Sequence, residues 1–375
     1  MDPVTAAKAY FSKDYAEARQ RFLELCNQSG VAVRDYVNPN VGPSGEVLAT
    51  DTAWFGPRDA GKVMVQVSAT HGAEGFPGSA AQCDWIANQG AASLPVDVAC
   101  LVVHANNPYG FAWLRRVTEE GVDLNRNFVD FNAPLPENPG YDELADVLVP
   151  QSLDAETLAA SDRRIEDYRA RHGDEQLMIA RSGGQYKYAG GVFFGGRAPT
   201  WSRQTLETLV ADYDLAAREL VGVVDFHTGL GPFGYGEPIC GHAPESINVK
   251  RAKRWYGQSV TEPALGTSSS VEKTGLAEFG WHGLLGDAIT MVALEYGTYP
   301  PGNGLRVLRA DHWLHNTHNA VDWQAPVTRE IKQAIRDHFS PDSIDWQEMI
   351  IFRARQILRQ GFAGLAGRPE IEAIV

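Results

Sequence analysis

Four short, almost wholly apolar runs divide the middle of the chain. They cover residues 63–69, 97–103, 221–226 and 289–295. Their length and β-branched content are typical of central strands that are covered on both faces. Stretches with helical spacing lie between them, at 78–88, 154–171 and 202–219. This alternation predicts an α/β fold, with a mixed, mostly parallel central sheet and helices on both faces.

The two ends of the chain have helical patterns. Residues 5–26 predict an amphipathic helix outside the core, and the tail from about 305 to 375 predicts helices at 309–320, 327–338 and 344–360. Segments 131–150, rich in Pro, Asn and acidic residues, and 181–199, rich in Gly, are predicted to be loops. Because no segment reads as a linker, we expect residues 1–375 to form a single domain.

The charge balance of the chain disfavours two classes of partner. With 33 Lys and Arg against 47 Asp and Glu, the net charge of −14 repels phosphate backbones and anionic headgroups, so we expect neither nucleic-acid nor membrane partners. The four cysteines form no CxxC pair, and the N-terminus has no signal-like apolar run, which fits a cytoplasmic protein. This composition is compatible with a homo-oligomer.

Chemistry-bearing side chains follow the apolar runs. His71 and Glu74 come directly after the first run, and His227 follows the third. Two imidazoles and a carboxylate are ordinary zinc ligands that leave a position for water. Taken alone, His71 and Glu74 could equally be a histidine at a helix start with an acidic first turn. Asp225 could orient the ring of His227, or could simply be a satisfied polar group at the end of the strand.

Three further positions complete the candidate site. Asn125 and Arg126 offer amide and guanidinium donors that suit a carboxylate, whereas at least one of Arg115 and Arg116 is expected to form a surface ion pair. Glu295 closes the fourth run and is a candidate general base, although a pairing with a structural arginine is the alternative.

The remaining motifs give weaker indications of function. His312, His315 and His318 recur on one predicted helix face and are interpreted as a surface or interface stripe, and His104 as a hydrogen-bonded core histidine. The chain has neither a phosphate-binding Gly-Lys-Ser/Thr loop nor a Gly-x-Ser-x-Gly elbow. Kinase, NTPase and serine-hydrolase functions are therefore disfavoured.

Five motifs in order, HGAE, NPYGF, GVDLNRNF, DFHTG and ALEYG, resemble the zinc carboxypeptidase family (M14-like), which includes the aspartoacylase and succinylglutamate desuccinylase branch. The resemblance covers residues 61–298. It implies one zinc ion per chain and a role for each matching position. These roles are zinc binding by His71, Glu74 and His227, carboxylate binding by Asn125 and Arg126, proton transfer by Glu295, and carbonyl polarisation by Arg115, with Arg116 as the alternative.

The digestive members of that family also use a mobile tyrosine, for which this chain offers only Tyr235 and Tyr256 as positional candidates. This departure favours a side branch of the DUF2817 type near the aspartoacylase group. The resemblance implies a zinc-dependent hydrolase that cleaves an amide bond next to a free carboxylate in a short peptide or N-acyl amino acid. The alternative is a metal-binding or scaffolding protein that keeps the fold without catalysis.

Overall fold

The structure of the protein is a computed structural model that describes residues 8–88, 90–317 and 321–368. The strands are β1 (Val33–Val41), β2 (Val47–Phe55), β3 (Lys62–Val67), β4 (Val98–His104), β5 (Leu220–Phe233), β6 (Gly236–Ile239) and β7 (Ile289–Gly297). The α-helices are α1 (Tyr15–Gln28), α2 (Gly75–Asn88), α3 (Pro108–Ala112), α4 (Pro139–Leu148), α5 (Ala155–Ser182), α6 (Trp201–Asp212), α7 (Ile247–Tyr256), α8 (Ala277–Leu285), α9 (Pro301–Thr317), α10 (Pro326–Phe339) and α11 (Ile344–Leu365).

All seven strands belong to one sheet in the order β1-β2-β4-β3-β5-β7-β6. The four central strands, β4, β3, β5 and β7, run parallel, whereas β1, β2 and β6 are antiparallel to their neighbours. The predicted α/β class with a mixed, mostly parallel sheet is therefore confirmed. The carboxyl ends of the parallel strands meet at one edge, where function collects in such sheets.

Two apolar layers cover the faces of the sheet. On one face Phe22, Trp85 and Trp346 bring α1, α2 and α11 against Met64 of β3. On the other, Leu209 of α6 and Trp281 of α8 pack with the alternate residues of β3 and β5. Since neighbouring residues of a strand face opposite sides, an apolar run without alternation is what a strand covered on both faces requires.

The antiparallel strands were not predicted. β1 is largely exposed and has no apolar run. β2 is buried but carries polar residues, whose side chains find partners: Thr50 donates to the Ala105 carbonyl, and Asp51 binds Arg19. In β2 the polar run Thr50, Asp51 and Thr52 interrupts the apolar residues, so the strand has no continuous hydrophobic run.

Several helix boundaries differ from the predictions. The predicted N-terminal helix 5–26 is α1, which begins at Tyr15 because the Asp14 side chain caps it; residues 1–7 lie outside the described residues. The predicted loop 131–150 contains α4, capped by Asn138. The predicted helix 154–171 continues as α5 to Ser182 across an interruption at Gly173, so the predicted loop 181–199 begins later. The predicted helix 202–219 ends earlier, at Asp212.

The predicted surface stripe of histidines on α9 is wrong for His312, which is buried with Nδ1 3.1 Å from the Gly190 carbonyl oxygen. His315 lies 3.0 Å from the Lys332 ammonium, and His318 is outside the described residues. His312 lies on the face of α9 that also carries the buried residues Leu308 and Val307, so this face packs against other elements. His104 is the predicted core histidine, buried with Nε2 2.9 Å from the Ser79 hydroxyl.

No helix in the described ranges is long and apolar enough to cross a membrane. The four cysteines are all buried and none forms a disulfide. Burial raises the pKa of each thiol, so these side chains pack as small apolar groups.

A buried ion cluster ties the C-terminal helices to the rest of the molecule. Asp311 of α9 accepts from Arg115 Nε at 2.9 Å and from Lys332 of α10 at 2.5 Å, and all three residues are buried. Burial opposes the ionised carboxylate, but the two cations hold the pKa of Asp311 well below its usual range.

We predict that Asp311→Asn destabilises the fold by about 3–5 kcal/mol, since it leaves two buried cations without a counter-charge. The free energy of unfolding from urea titration measures this. Asp167→Asn on the exposed side of α5 is the matched control. An equal loss of unfolding free energy for the two substitutions would show that Asp311 stabilises the fold no more than an exposed aspartate does.

Candidate active site

The carboxyl ends of β3, β5 and β7 bring four predicted site residues together. His71 and Glu74 follow β3 in a short 3-10 turn, and His227 and Glu295 are direct neighbours in the register of β5 and β7. The rings of His71 and His227 lie 5.0 Å apart, and Glu74 Oε2 is 3.8 Å from His227 Nδ1. All four side chains are buried.

Each imidazole has a carboxylate behind it. His71 Nδ1 lies 3.2 Å from Asp123, and His227 Nε2 lies 3.0 Å from Asp225, the orienting role that was one of two interpretations of Asp225. Burial alone would lower the pKa of His227, but Asp225 and the nearby glutamates raise it to about 9. Such contacts orient the rings. The opposite nitrogen of His227, Nδ1, faces Glu74, whereas that of His71, Nε2, contacts Arg116.

Asp123 is not among the predicted site residues, although it stands in the GVDLNRNF motif. It accepts from Arg116 Nε at 3.0 Å and caps the short turn that carries Asn125. Arg116, His71 and Arg126 lower the pKa of Asp123 well below its usual range against the effect of burial. The need of His71 for an orienting carboxylate was the signal that could have found it.

The two neighbouring arginines point to different places. Arg115 pairs with Asp311 in the buried cluster described above, so its ion pair is not at the surface. Because Arg115 does not line the cavity, its preferred assignment to the site is not supported. Arg116 contacts Glu74 Oε1 at 2.5 Å and His71 Nε2 at 2.8 Å.

A backbone contact sets this difference. The Ala73 N–H donates to the Arg115 carbonyl at 2.9 Å, and a Cβ on Gly72, whose φ is +37°, would overlap that carbonyl. The turn that carries His71 and Glu74 is thereby fixed against the Arg115 backbone. The next side chain along, that of Arg116, consequently reaches Glu74.

Asn125 and Arg126 line the same cavity with part of their hydrogen-bonding capacity in use. Arg126 donates to the Ser182 carbonyl from Nε and Nη2, and to the Asn125 carbonyl from Nη1. One N–H on each terminal nitrogen remains. Asn125 accepts from the Ala277 N–H through Oδ1, which leaves its Nδ2 as the donor group. Burial lowers the pKa of Arg126 to about 10, which keeps the guanidinium charged.

Glu295 has one fixed oxygen. Its Oε1 accepts from the Leu230 N–H at 3.0 Å, and in the described part of the chain no arginine or lysine pairs with it within 4 Å. Burial raises the pKa of Glu295, while His227 opposes that effect. The alternative of a glutamate paired to a structural arginine therefore has no support.

These residues surround a cavity of about 190 Å³ that runs along one face of β7. Glu295, Ala293 and Met291 line it in turn, so it extends roughly 13 Å down the strand at about 3.3 Å per residue. Its apolar wall includes Ile239, Leu276 and Phe279. A cavity of this size suits a group as large as an amino-acid side chain.

The cavity also contains charged residues that sequence reasoning missed. Arg181, Lys273 and Glu278 line it, whereas the two tyrosine candidates do not: Tyr235 is exposed beside α11, and Tyr256 is buried in the opposite apolar layer. Lys273 lies in an irregular segment without periodicity, and Arg181 in a helix end that had been assigned to a loop. No local pattern distinguished either cation from a surface residue.

The donor set of His71, Glu74 and His227 fits a metal ion. Two buried imidazoles, each with one nitrogen against a carboxylate, and one buried glutamate form the set typical of an open zinc site. Its donors are spread apart here, because the Arg116 guanidinium lies between Glu74 and His71.

A tighter donor group includes Glu278 of the cavity wall. Among the described residues, Cys240, His242 and Glu278 alone bring three donor atoms within 4.8 Å of one another. The His242 nitrogen that faces Glu278, Nε2, already accepts the Met291 N–H at 3.1 Å. Because this nitrogen is engaged, the group is the weaker candidate for a metal site.

The sheet and its helices define a carboxypeptidase-like fold. Carboxypeptidase A from Helicoverpa armigera matches it with a TM-score of 0.53 at 15% sequence identity, over 96% of this chain and 75% of that chain. The chain belongs to the family described as "Protein of unknown function (DUF2817)", whose model matches residues 11–353. The predicted side branch is thereby confirmed.

Two other solved structures match at lower TM-scores. An aspartoacylase family protein from Mesorhizobium loti gives 0.38 at 12% identity, over 76% of this chain and 66% of that chain. The succinylglutamate desuccinylase from Chromobacterium violaceum gives 0.36 at 16% identity, over 86% and 74%. No curated protein sequence matches the chain.

We predict that Gly275→Ala disturbs the site from a distance. Gly275 has a φ of +67°, and a Cβ there would overlap the Arg126 carbonyl, whereas Gly266, with a φ of +65°, has open space around it. Gly275→Ala should therefore cost about 1–3 kcal/mol more in unfolding free energy than Gly266→Ala, which has only the backbone penalty. Equal costs in urea titration would mean that the Arg126 segment yields freely.

Proposed function

We propose that this protein is a zinc-dependent hydrolase that cleaves an amide bond next to a free carboxylate in a short peptide or N-acyl amino acid. One observation carries the proposal: two imidazoles and a glutamate converge beside a second glutamate, Glu295, that has no cationic partner within ion-pair distance among the described residues. A site that only held a metal would not need this additional buried carboxylate.

His71, Glu74 and His227 are the residues that would hold the ion, with Asp123 and Asp225 orienting the two rings. When bound, zinc supplies a water of lowered pKa, about 7 in known enzymes, and a Lewis acid for the substrate carbonyl. The carboxylates beside the two rings, Asp123 and Asp225, would orient each imidazole toward the ion.

Glu295 is proposed as the general base. It would accept the proton of the attacking water and deliver it to the nitrogen of the leaving amine, so that one carboxyl group serves both steps. Its position supports the role, because it is next to His227 in the sheet register and one of its oxygens is held by the Leu230 N–H. The other oxygen is available to the reactants.

Arg116 is proposed to stabilise the negative charge that develops on the carbonyl oxygen. Its guanidinium lies 2.5 Å from Glu74 and 2.8 Å from His71, beside the position where a substrate carbonyl would meet the ligands. In other enzymes the loss of one such donor costs about 2.7–4 kcal/mol in the transition state.

Asn125 and Arg126 are proposed to hold the free carboxylate. The unused N–H groups of Arg126 and the Nδ2 group of Asn125 offer a charged and a neutral donor on the same short turn. The cavity of about 190 Å³ would receive the adjoining side chain, which limits the substrate to a small molecule or short peptide. The net charge of −14 argues against polyanionic macromolecules as partners.

We predict that one zinc ion binds per chain and that His227→Ala abolishes this binding, because two remaining ligands do not hold zinc tightly. Cys240→Ser is the matched control and should retain one zinc ion. Metal content by elemental analysis after dialysis measures both. Loss of zinc from Cys240→Ser with retention in His227→Ala would assign the metal to the Cys240 group instead.

We predict that Glu295→Gln retains zinc and binds substrate but loses turnover by at least about 100-fold, the usual contribution of a general base. The assay is hydrolysis of a panel of N-acyl amino acids and dipeptides. Glu272→Gln, an exposed residue at the rim of the same cavity, is the control. Near-normal kcat in Glu295→Gln would place the base elsewhere, and no hydrolysis by the wild type of any member would favour the non-catalytic alternative.

A further inference from the structure

Three cations of the cavity wall have no acidic partner. Arg126, Arg181 and Lys273 line the cavity, yet among the residues that the structure describes none of them forms an ion pair with a carboxylate within 4 Å. Arg116 differs, because it contacts Glu74 and Asp123. Cations without a counter-charge in a partly buried wall are costly, so an anionic ligand would stabilise them.

Arg181 and Lys273 lie on two segments that are bound to each other. The Thr274 N–H donates to the Gly183 carbonyl at 2.9 Å, and the Thr274 hydroxyl donates to the same oxygen at 3.1 Å. Arg181 is in the last turn of α5, directly before this contact, and Lys273 directly precedes Thr274. The two cations are thus held on the same side of the cavity.

The partners that these two groups have are neutral or absent. The Lys273 ammonium donates to the hydroxyl of Ser270, and no hydrogen-bond acceptor contacts the Arg181 guanidinium among the described residues. Burial and the neighbouring Arg126 lower the pKa of Lys273 to about 7, and burial lowers the pKa of Arg181. An anion beside them would offset both effects.

The acidic groups of the cavity do not pair with these cations. Glu272 at the rim is exposed and, among the described residues, forms no ion pair with them within 4 Å. Glu295 accepts from the Leu230 N–H, and Glu278 accepts from the Gly241 N–H. Burial raises the pKa of Glu278 to about 8, which weakens this carboxyl as a counter-charge for the two cations. The charge on the wall is therefore available to a ligand.

We propose that Arg181 and Lys273 form a second anion subsite, and that the ligand of this cavity is a small dicarboxylate with one carboxylate at Arg126 and another at this pair. For the substrate, the inference rests on the proposed function: it makes the preferred substrate an amide that carries a second carboxylate besides the one next to the scissile bond. The binding itself does not depend on turnover.

The experiment measures equilibrium binding by calorimetry on the wild-type protein, with probes that have no scissile bond. Succinate, glutarate and adipate are compared with butyrate, valerate and hexanoate, the monocarboxylates of equal carbon number. At least one dicarboxylate should bind at least about tenfold more tightly than its monocarboxylate, as expected for an added charge-assisted contact.

Arg181→Met and Lys273→Met test the assignment separately. Each should reduce the preference for the dicarboxylate by several-fold, whereas Lys273→Arg should retain most of it. Lys250→Met, which removes one positive charge from an exposed position on α7, is the control and should leave the preference unchanged. Thermal unfolding verifies that each variant is folded.

A wild-type protein without preference for any dicarboxylate, or a preference that survives both methionine substitutions, would overturn the subsite. These outcomes are independent of the hydrolase proposal. A protein that binds dicarboxylates through this pair but hydrolyses nothing would retain the subsite and reject the enzyme.

Discussion

The Arg116 guanidinium is the contact on which the arrangement of the site depends. It lies between two buried carboxylates, those of Glu74 and Asp123, and also contacts His71. Two buried acids so close to each other would be strongly unfavourable without this cation. Because Asp123 also caps the turn that carries Asn125, the same cation links the candidate metal ligands to the candidate carboxylate clamp.

The backbone around Gly72 positions Arg116 for this contact. Gly72 allows the turn after β3 to approach the Arg115 carbonyl, so that Arg115 and Arg116 point in different directions. Arg115 then stabilises the C-terminal helices through Asp311, and Arg116 reaches the site. Two adjacent arginines thus have separate roles, one in packing and one in the electrostatics of the cavity.

The sequence predicted the central part of the fold well, because strands covered on both faces must be apolar throughout. It missed β1, which is exposed, and β2, whose buried threonines and Asp51 are satisfied by specific partners that no pattern reveals.

The residues at the strand ends were predictable, since parallel strands bring their carboxyl ends to one edge. The choice between Arg115 and Arg116 was not, because it depends on a contact with the Gly72 turn. Arg181 and Lys273 could not be found either, since each lies in a segment whose position is set by its hydrogen bonds to distant parts of the chain.

His71, Glu74 and His227 are proposed to hold the metal in preference to the Cys240, His242 and Glu278 group. X-ray absorption at the zinc edge, on wild-type protein with one equivalent of zinc, distinguishes the two directly. We expect only nitrogen and oxygen neighbours at about 2.0–2.2 Å, with the scattering pattern of two imidazoles. A sulfur neighbour at about 2.3 Å would place the ion at Cys240 and contradict this assignment.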